Sequence, residues 1–238
     1  MEQAAKSIVR AKLFNTGQIC VSVDHVYVHS SIKEKFIEFS KKYMVEFYGE
    51  DASTSEDYGF IINERNFDRL VGLMDGNGTM VFGGQSDAEK RYIAPTILDN
   101  VTEDTPIMQE EIFGPIMPVL TFDNIEELVA LQKTKEKPLS LYFFSKDKKR
   151  QDLVLTNTGA GGVTINDCMI HAASKYLPFG GVGNSGMGHY VGEASFKTFT
   201  HFKPIMIAHN TDLTDNSLNF PPYAGKVEKL KSMMENAD

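Results

Sequence analysis

The sequence has only two cysteines, Cys20 and Cys168, in 238 residues. Two thiols are too few for a disulfide scaffold, and they fit a reducing compartment. No segment approaches the roughly 20 apolar residues of a membrane span. The opening Met1-Glu2-Gln3-Ala4-Ala5-Lys6 has no apolar signal core, so the cytoplasm is the expected location. A dense basic run is also lacking: 24 Lys and Arg stand against 32 Asp and Glu, a net charge of −8. That balance gives no electrostatic case for nucleic acid or an anionic membrane. The six histidines are scattered, with no acids or cysteines at ligand spacing, so no metal site is expected. Asn77-Gly78-Thr79 and Asn100-Val101-Thr102 match a glycosylation pattern, and without a secretory signal both read as chance. The hydrophobic share of 42% and charged share of 24% are ordinary for a soluble globular protein.

Helical and extended patterns alternate along the chain. Ala5, Ile8, Val9 and Leu13 share one helical face within residues 2–13, and Phe14-Asn15-Thr16-Gly17 breaks that pattern. Val21 to His29 reads as a strand. Ser31 and Glu34 have capping-box spacing ahead of a stripe from Ile32 to Phe47. Asn63 can cap a helix carrying Phe67, Leu70, Val71 and Met74. Residues 79–82, 92–98 and 116–122 look extended. Asp123 and Glu126 again have capping-box spacing. Leu139 to Phe144 reads as a strand buried on both faces, and Ala160 to Asn166 as the next strand. Phe196 to Ala208 holds a last extended stretch. After a turn at Pro221-Pro222, a short helix is expected over Val227, Leu230 and Met233-Met234. The alternation predicts an α/β fold with a largely parallel sheet flanked by helices. A boundary within 209–223 separates a body, residues 1–208, from a C-terminal arm, residues 209–238.

Three segments can carry chemistry. Cys20 follows Asn15-Thr16-Gly17-Gln18-Ile19 in a turn between helix and strand. A thiol attacks at neutral pH only with a lowered pKa or a nearby base. No basic side chain lies within three positions of Cys20, and a lone cysteine is more often an inert core residue. Cys168 is read as structural. In Gln109-Glu110-Glu111-Ile112-Phe113-Gly114-Pro115, Glu111 and Phe113 are two apart and project to one side of an extended segment. An acid beside an aromatic can grip a polar ring and its sugar, although acids before a turn are commonly just solvated. Gly181, Gly183 and Gly186 form a literal G-x-G-x-x-G. Leu177-Pro178-Phe179 is a poor strand end, and Gly188 interrupts the helix that a dinucleotide fingerprint needs, so that reading is rejected. A loop whose backbone approaches another element fits better. His171, close to this loop, is a candidate pocket-lining residue.

These segments, in this order, resemble the aldehyde dehydrogenase superfamily. Its cysteine motif is matched by Asn15-Thr16-Gly17-Gln18-Ile19-Cys20, its cofactor motif by Glu111-Ile112-Phe113-Gly114-Pro115, and its late glycine motif by Pro178 through Gly186. Tyr92 to Leu98 looks like the family's approach to the cofactor motif. Asn166-Asp167, the Gly181 to Gly188 wording and Phe220-Pro221-Pro222-Tyr223 are similar to the class 3 and fatty-aldehyde branch. The resemblance implies that Cys20 is the nucleophile, that its N–H serves the oxyanion, that Glu111 holds the nicotinamide ribose of NAD or NADP, and that Phe113 packs at the same end. It implies an aldehyde substrate and a homo-oligomer.

A full-length member has roughly twice this length. The family's general-base Glu, in a Glu-Leu-Gly-Gly-like motif, has no counterpart among the 19 residues before Cys20. The chain therefore looks like the catalytic domain and C-terminal arm, with the amino-terminal cofactor domain absent. Little turnover is expected unless a complementary half is supplied. A cofactor-free thiol esterase and a non-enzymatic relative acting through oligomer contacts remain alternatives.

Overall fold

The computed structural model describes residues 1–207 and 221–235. The chain divides into two compact units, Met1–Phe199 and Thr200–Asp238. The first unit opens with α1 (Glu2–Leu13), a 3-10 turn (Phe14–Gly17), β1 (Val26–His29) and α2 (Lys33–Tyr48). Then come α3 (Glu64–Met74), β2 (Thr79–Phe82), β3 (Ser86–Asp87), β4 (Tyr92–Ile93), β5 (Thr96–Asp99) and β6 (Ile116–Phe122). The order continues with α4 (Ile125–Thr134), β7 (Ser140–Phe143), α5 (Lys148–Asn157), β8 (Gly162–Ile165), α6 (Ile170–Ala173) and α7 (Glu193–Thr198).

The main sheet has the order β1-β6-β5-β2. β6 pairs in parallel with both β1 and β5, while β2 joins the edge antiparallel. β7 and β8 form a separate parallel pair, and β3 and β4 a short antiparallel one. This is the mainly parallel, helix-flanked α/β architecture that the pattern of residues predicts.

Successive strand residues point to opposite faces, and both faces of this sheet are covered. Ile97, Met117 and Val119 pack with Val9 of α1 and Phe36 and Met44 of α2. Their neighbours Leu98, Ile116 and Leu120 pack with Leu70 and Leu73 of α3. The core therefore consists of two apolar layers divided by the sheet. α3 begins where expected: the Asn63 side chain accepts from the Asn66 N–H, a cap of a type worth about 1 kcal/mol.

Five local expectations are corrected. Strand pairing begins at Val26, not Val21, because the preceding residues anchor the Cys20 turn: Ser22 Oγ, for example, donates to the Ala11 carbonyl at 3.0 Å. Ser31 does not cap α2. Its N–H donates to His29 Nδ1 at 3.2 Å, and the helix starts at Lys33. Asn124 rather than Asp123 caps α4, accepting from the Glu127 N–H at 3.0 Å, while Asp123 accepts from Ser30 Oγ. β7 is half-buried throughout, since β8 is its only strand partner among the described residues. The expected extended stretch from Phe196 begins instead inside α7, and Ala208 lies outside the described residues.

The second unit contains α8 (Lys226–Glu235), which carries the expected Val227, Leu230, Met233 and Met234. The Pro221–Pro222 bond is cis. Phe220 and most of the 209–223 boundary lie outside the described residues.

Leu70 is fully buried and packs in the layer under β5 and β6. Leu70→Ala is expected to lower stability by about 2–5 kcal/mol, read as a fall in the urea midpoint at unchanged slope.

Candidate active site

The site is built around a turn that few sequences can make. α1 ends at Leu13, and Asn15, Thr16 and Gly17 then take φ of 50°, 57° and 78°. Asn tolerates the left-handed region, and Gly enters it freely. A β-branched threonine there is strained, at a cost on the order of 1–3 kcal/mol. Thr16 is also fully enclosed, and its hydroxyl has no hydrogen-bond partner. A Cβ on Gly17 would lie 2.2 Å from the Gly114 carbonyl oxygen, so only glycine allows this approach. The cysteine segment and the Glu111–Pro115 segment are thus packed backbone on backbone.

Cys20 follows on an exposed corner. The Ser22 N–H donates to the Ile19 carbonyl at 2.9 Å, which places Cys20 and Val21 at the centre of a tight turn. The Gln18 side chain braces the approach. Its amide donates to the Asn15 and Phe60 carbonyls at 3.2 and 3.0 Å and accepts from the Ile62 N–H at 3.0 Å. On the far side the Tyr142 hydroxyl donates to the Val21 carbonyl at 2.6 Å. Among the described residues the Cys20 N–H has no hydrogen-bond acceptor.

Glu111 and Phe113 are both exposed, while Ile112 between them is fully buried. The segment is not the extended pair that the sequence predicts, since Phe113 takes a left-handed φ of 50°. Both ends of the Ile112 residue are clamped. Its N–H donates to Asp24 Oδ1 at 2.9 Å, and its carbonyl accepts from Arg69 Nη2 at 2.6 Å. Arg69 also reaches the Glu111 carbonyl at 3.3 Å and Glu110 at 3.2 Å. Although Glu111 is exposed, nearby protein displaces enough water to push its carboxyl up, and the Asp24 charge adds to the effect. Burial also works to raise Asp24. The His25 ring, Lys12 and the Ile112 N–H outweigh it and hold that carboxyl below its usual range.

Lys12 lies beneath this clamp, fully buried, with its ammonium donating to the Asp24 carbonyl at 3.2 Å. Burial pulls it down to about 8 against the opposing pull of Asp24 and Glu111. Cys168 is in the core, where burial pushes its thiol up to about 12, in keeping with a structural role. His171 is buried between hydroxyls, with Thr164 Oγ1 at 2.9 Å on Nδ1 and Ser140 Oγ at 3.2 Å on Nε2, and burial holds it below its usual range. The late glycines fold on themselves. A Cβ on Gly181 would lie 2.0 Å from the Ser185 carbonyl oxygen, and one on Gly180 would lie 2.2 Å from that of Gly188. Close backbone packing, rather than a phosphate cradle at a helix start, is what these glycines permit.

The sequence reading missed Lys12, Asp24, Arg69 and Tyr142. Lys12 carried a usable signal: it sits one turn after Ile8 on the buried stripe of α1. The other three reach partners 43 to 121 residues away, and nothing local marks them.

The fold and this site define a mainly parallel α/β protein that presents a thiol on a strained glycine turn beside an exposed acid and aromatic. Residues 1–205 match the model of the aldehyde dehydrogenase family. The 4,4'-diaponeurosporen-aldehyde dehydrogenase of Staphylococcus aureus is 45% identical over 98% of this chain and 50% of its own length. The dimeric NADP-preferring aldehyde dehydrogenase of Canis lupus familiaris is 44% identical over 96% of this chain and 50% of its own. A solved substrate-bound Staphylococcus aureus AldH aligns with a TM-score of 0.82 at 43% identity, covering 98% of this chain and 51% of that one. The chain belongs to the aldehyde dehydrogenase family. Family 3 member A2 of Rattus norvegicus, 41% identical over 93% of this chain and 46% of its own length, accords with the class 3 resemblance. The chain spans about half the length of these curated relatives.

Gly17→Ala is expected to destabilise the protein by more than about 1 kcal/mol, since it meets both a positive φ and the Gly114 carbonyl; chemical denaturation measures it. Lys12 gives a pH signature. Its folded pKa of about 8 lies below the ordinary 10.5, so between these values the unfolded chain holds the extra proton. Stability should therefore rise with pH through that window, and be lost again as pH falls towards 8. Lys12→Met should flatten this rise, read as the difference between the two proteins' urea midpoints at about pH 7.5 and about pH 9.5.

Proposed function

We propose that this chain carries the thiol chemistry of an NAD(P)-dependent aldehyde oxidation. The observation that carries the reading is the exposed Cys20 at the corner of a braced turn, with a backbone N–H that no other group among the described residues uses. In this reading the Cys20 thiolate attacks the aldehyde carbon. A C–S bond forms, and the carbonyl π electrons move to oxygen, giving a thiohemiacetal. The Cys20 N–H stabilises that oxyanion, a contribution typically worth roughly 3–4 kcal/mol per donor. When bound, the oxidised dinucleotide supplies the hydride acceptor. Cys20 then holds the acyl group as a thioester until water releases the carboxylic acid and frees the thiol.

Glu111 and Phe113 fit the nicotinamide end of such a dinucleotide. Both are exposed, on a segment whose backbone is clamped by Asp24 and Arg69. Glu111 accepts from the ribose hydroxyls, and Phe113 covers the ring. NAD and NADP both remain within this reading; the canine relative's name specifies a preference for NADP.

No acid or base is hydrogen-bonded to Cys20 among the described residues, so hydrolysis of the thioester needs a general base from elsewhere. We place that base in a complementary half. Residues 1–208 form the catalytic body and 209–238 its arm in this scheme. The exposed Phe199, Phe202, Ile205, Met206 and Ile207 favour association with that half or with a second copy. No helix among the described residues is long and apolar enough to cross a membrane; a cytoplasmic location is part of the proposal. The alternatives of a cofactor-free esterase and a non-enzymatic relative gain no specific support from the geometry.

Iodoacetamide should modify Cys20 and spare Cys168, as read by peptide mass mapping. With aldehyde and NAD(P), the 238-residue polypeptide should turn over roughly 10²–10⁴-fold more slowly than a complete family member, for want of the base. Modification of Cys168 with Cys20 untouched would end this reading. Sustained NAD(P)H formation at ordinary rates would refute the placement of the base.

A further inference from the structure

The catalytic scheme leaves Tyr142 unused. Its ring is half-buried on β7, and its hydroxyl crosses 121 residues of sequence to donate to the Val21 carbonyl at 2.6 Å. Among the described residues no other group donates to that carbonyl. Burial pushes Tyr142 up to about 12, so the hydroxyl keeps its proton throughout the neutral range.

The turn that Tyr142 touches has two further anchors. Ser22 donates its N–H to Ile19 at 2.9 Å and its hydroxyl to the Ala11 and Lys12 carbonyls at 3.0 and 3.2 Å. Gln18 braces the other end against the Phe60–Ile62 backbone. Between them, the Cys20–Val21 centre of the turn has one side-chain hydrogen bond among the described residues, from Tyr142. The Val21 carbonyl belongs to the Val21–Ser22 peptide, the one whose N–H closes the turn onto Ile19. If the Tyr142 bond is removed, that closing peptide can tilt, which shifts the unanchored Cys20–Val21 peptide before it and with it the aim of the Cys20 Sγ and the Cys20 N–H. Misplacement by about 1 Å can cost up to 10²-fold in rate.

We infer that Tyr142 is a positioning residue for the nucleophile: its hydroxyl holds the Ile19–Ser22 turn so that the Cys20 thiol and the Cys20 N–H keep one fixed relation. This rests on the reading of Cys20 as the nucleophile. It adds that β7, which contributes no reacting group, sets the geometry of attack.

Two reagents separate the effects, and neither needs a dinucleotide. Iodoacetamide is displaced at a saturated carbon and reads the thiolate alone. p-Nitrophenyl acetate is attacked at its ester carbon. It passes through an oxyanion, forms a C–S bond and expels p-nitrophenolate, so it reads the thiol and the N–H together. In Tyr142→Phe, which keeps the ring, the single-turnover acylation rate should fall roughly threefold to tenfold, the scale of one lost hydrogen bond. Alkylation should change less. 4-Aminophenylalanine at position 142 restores a donor and should restore acylation. Should Tyr142→Phe fail to fold, Ser22→Ala loosens the same turn and should show the same unequal loss. Equal losses with both reagents, or none, in a protein whose wild-type thiol reacts would overturn this inference alone. A wild-type Cys20 inert to both reagents would overturn the nucleophile reading and this inference with it.

Discussion

The contact on which the site depends is between two peptide backbones. Gly17 lies so close to Gly114 that a single methyl group on Gly17 would enter the Gly114 carbonyl. Gly114 in turn has Leu70 against its other side, where an added Cβ would lie 2.5 Å from Leu70 Cδ2. The thiol turn, the Glu111–Phe113 segment and the core of α3 are therefore stacked without room for a side chain at either glycine. Packing of this density transmits displacement rather than absorbing it. That makes a three-residue left-handed turn, unfavourable in itself, a stable platform.

Charge is arranged around the same contact. A buried ammonium is costly unless it is compensated, and Lys12 has the Asp24 and Glu111 carboxylates as its compensating charges. Asp24 spends one carboxylate oxygen on the Ile112 N–H and the other on His25. Arg69 takes the opposite end of Ile112. The result orders an exposed acid and aromatic through the half-buried Asp24 and Arg69, which grip the backbone between them. A site on a loop gains precision this way, through hydrogen bonds to a rigid scaffold.

The thiol's two neighbourhoods divide the work. α1 and the Gln18 bracket deliver Cys20 to its corner, and the β7–β8 pair holds the corner from behind. Asp167 and Arg10 connect the same two regions, since Arg10 donates to Asp167 at 3.0 Å and to the Cys168 carbonyl at 3.2 Å. Cys168 belongs to this structural seam. Its burial, and a thiol pushed up to about 12, set it apart from the exposed Cys20.

Local pattern was enough for the elements. The apolar stripe of α1, the Asn63 cap and the run Ile116–Phe122 all lie where their residues predict, because helix and strand periodicity are properties of neighbours. Boundaries shifted where a long-range partner competed. His29 took the Ser31 amide from a cap, and the anchoring of residues 21–24 displaced the start of β1. Motif order was legible too, and with it the family and the candidate residues Cys20, Glu111 and Phe113. What sequence did not contain was the clamp: Asp24, Arg69 and Tyr142 are ordinary residues until folding brings their partners across tens of positions. The sequence by itself determined which atoms are available for chemistry, through residue type and glycine placement. Only the tertiary structure decided which of them are held still, because hydrogen-bond geometry and burial exist between distant segments and not within any one of them.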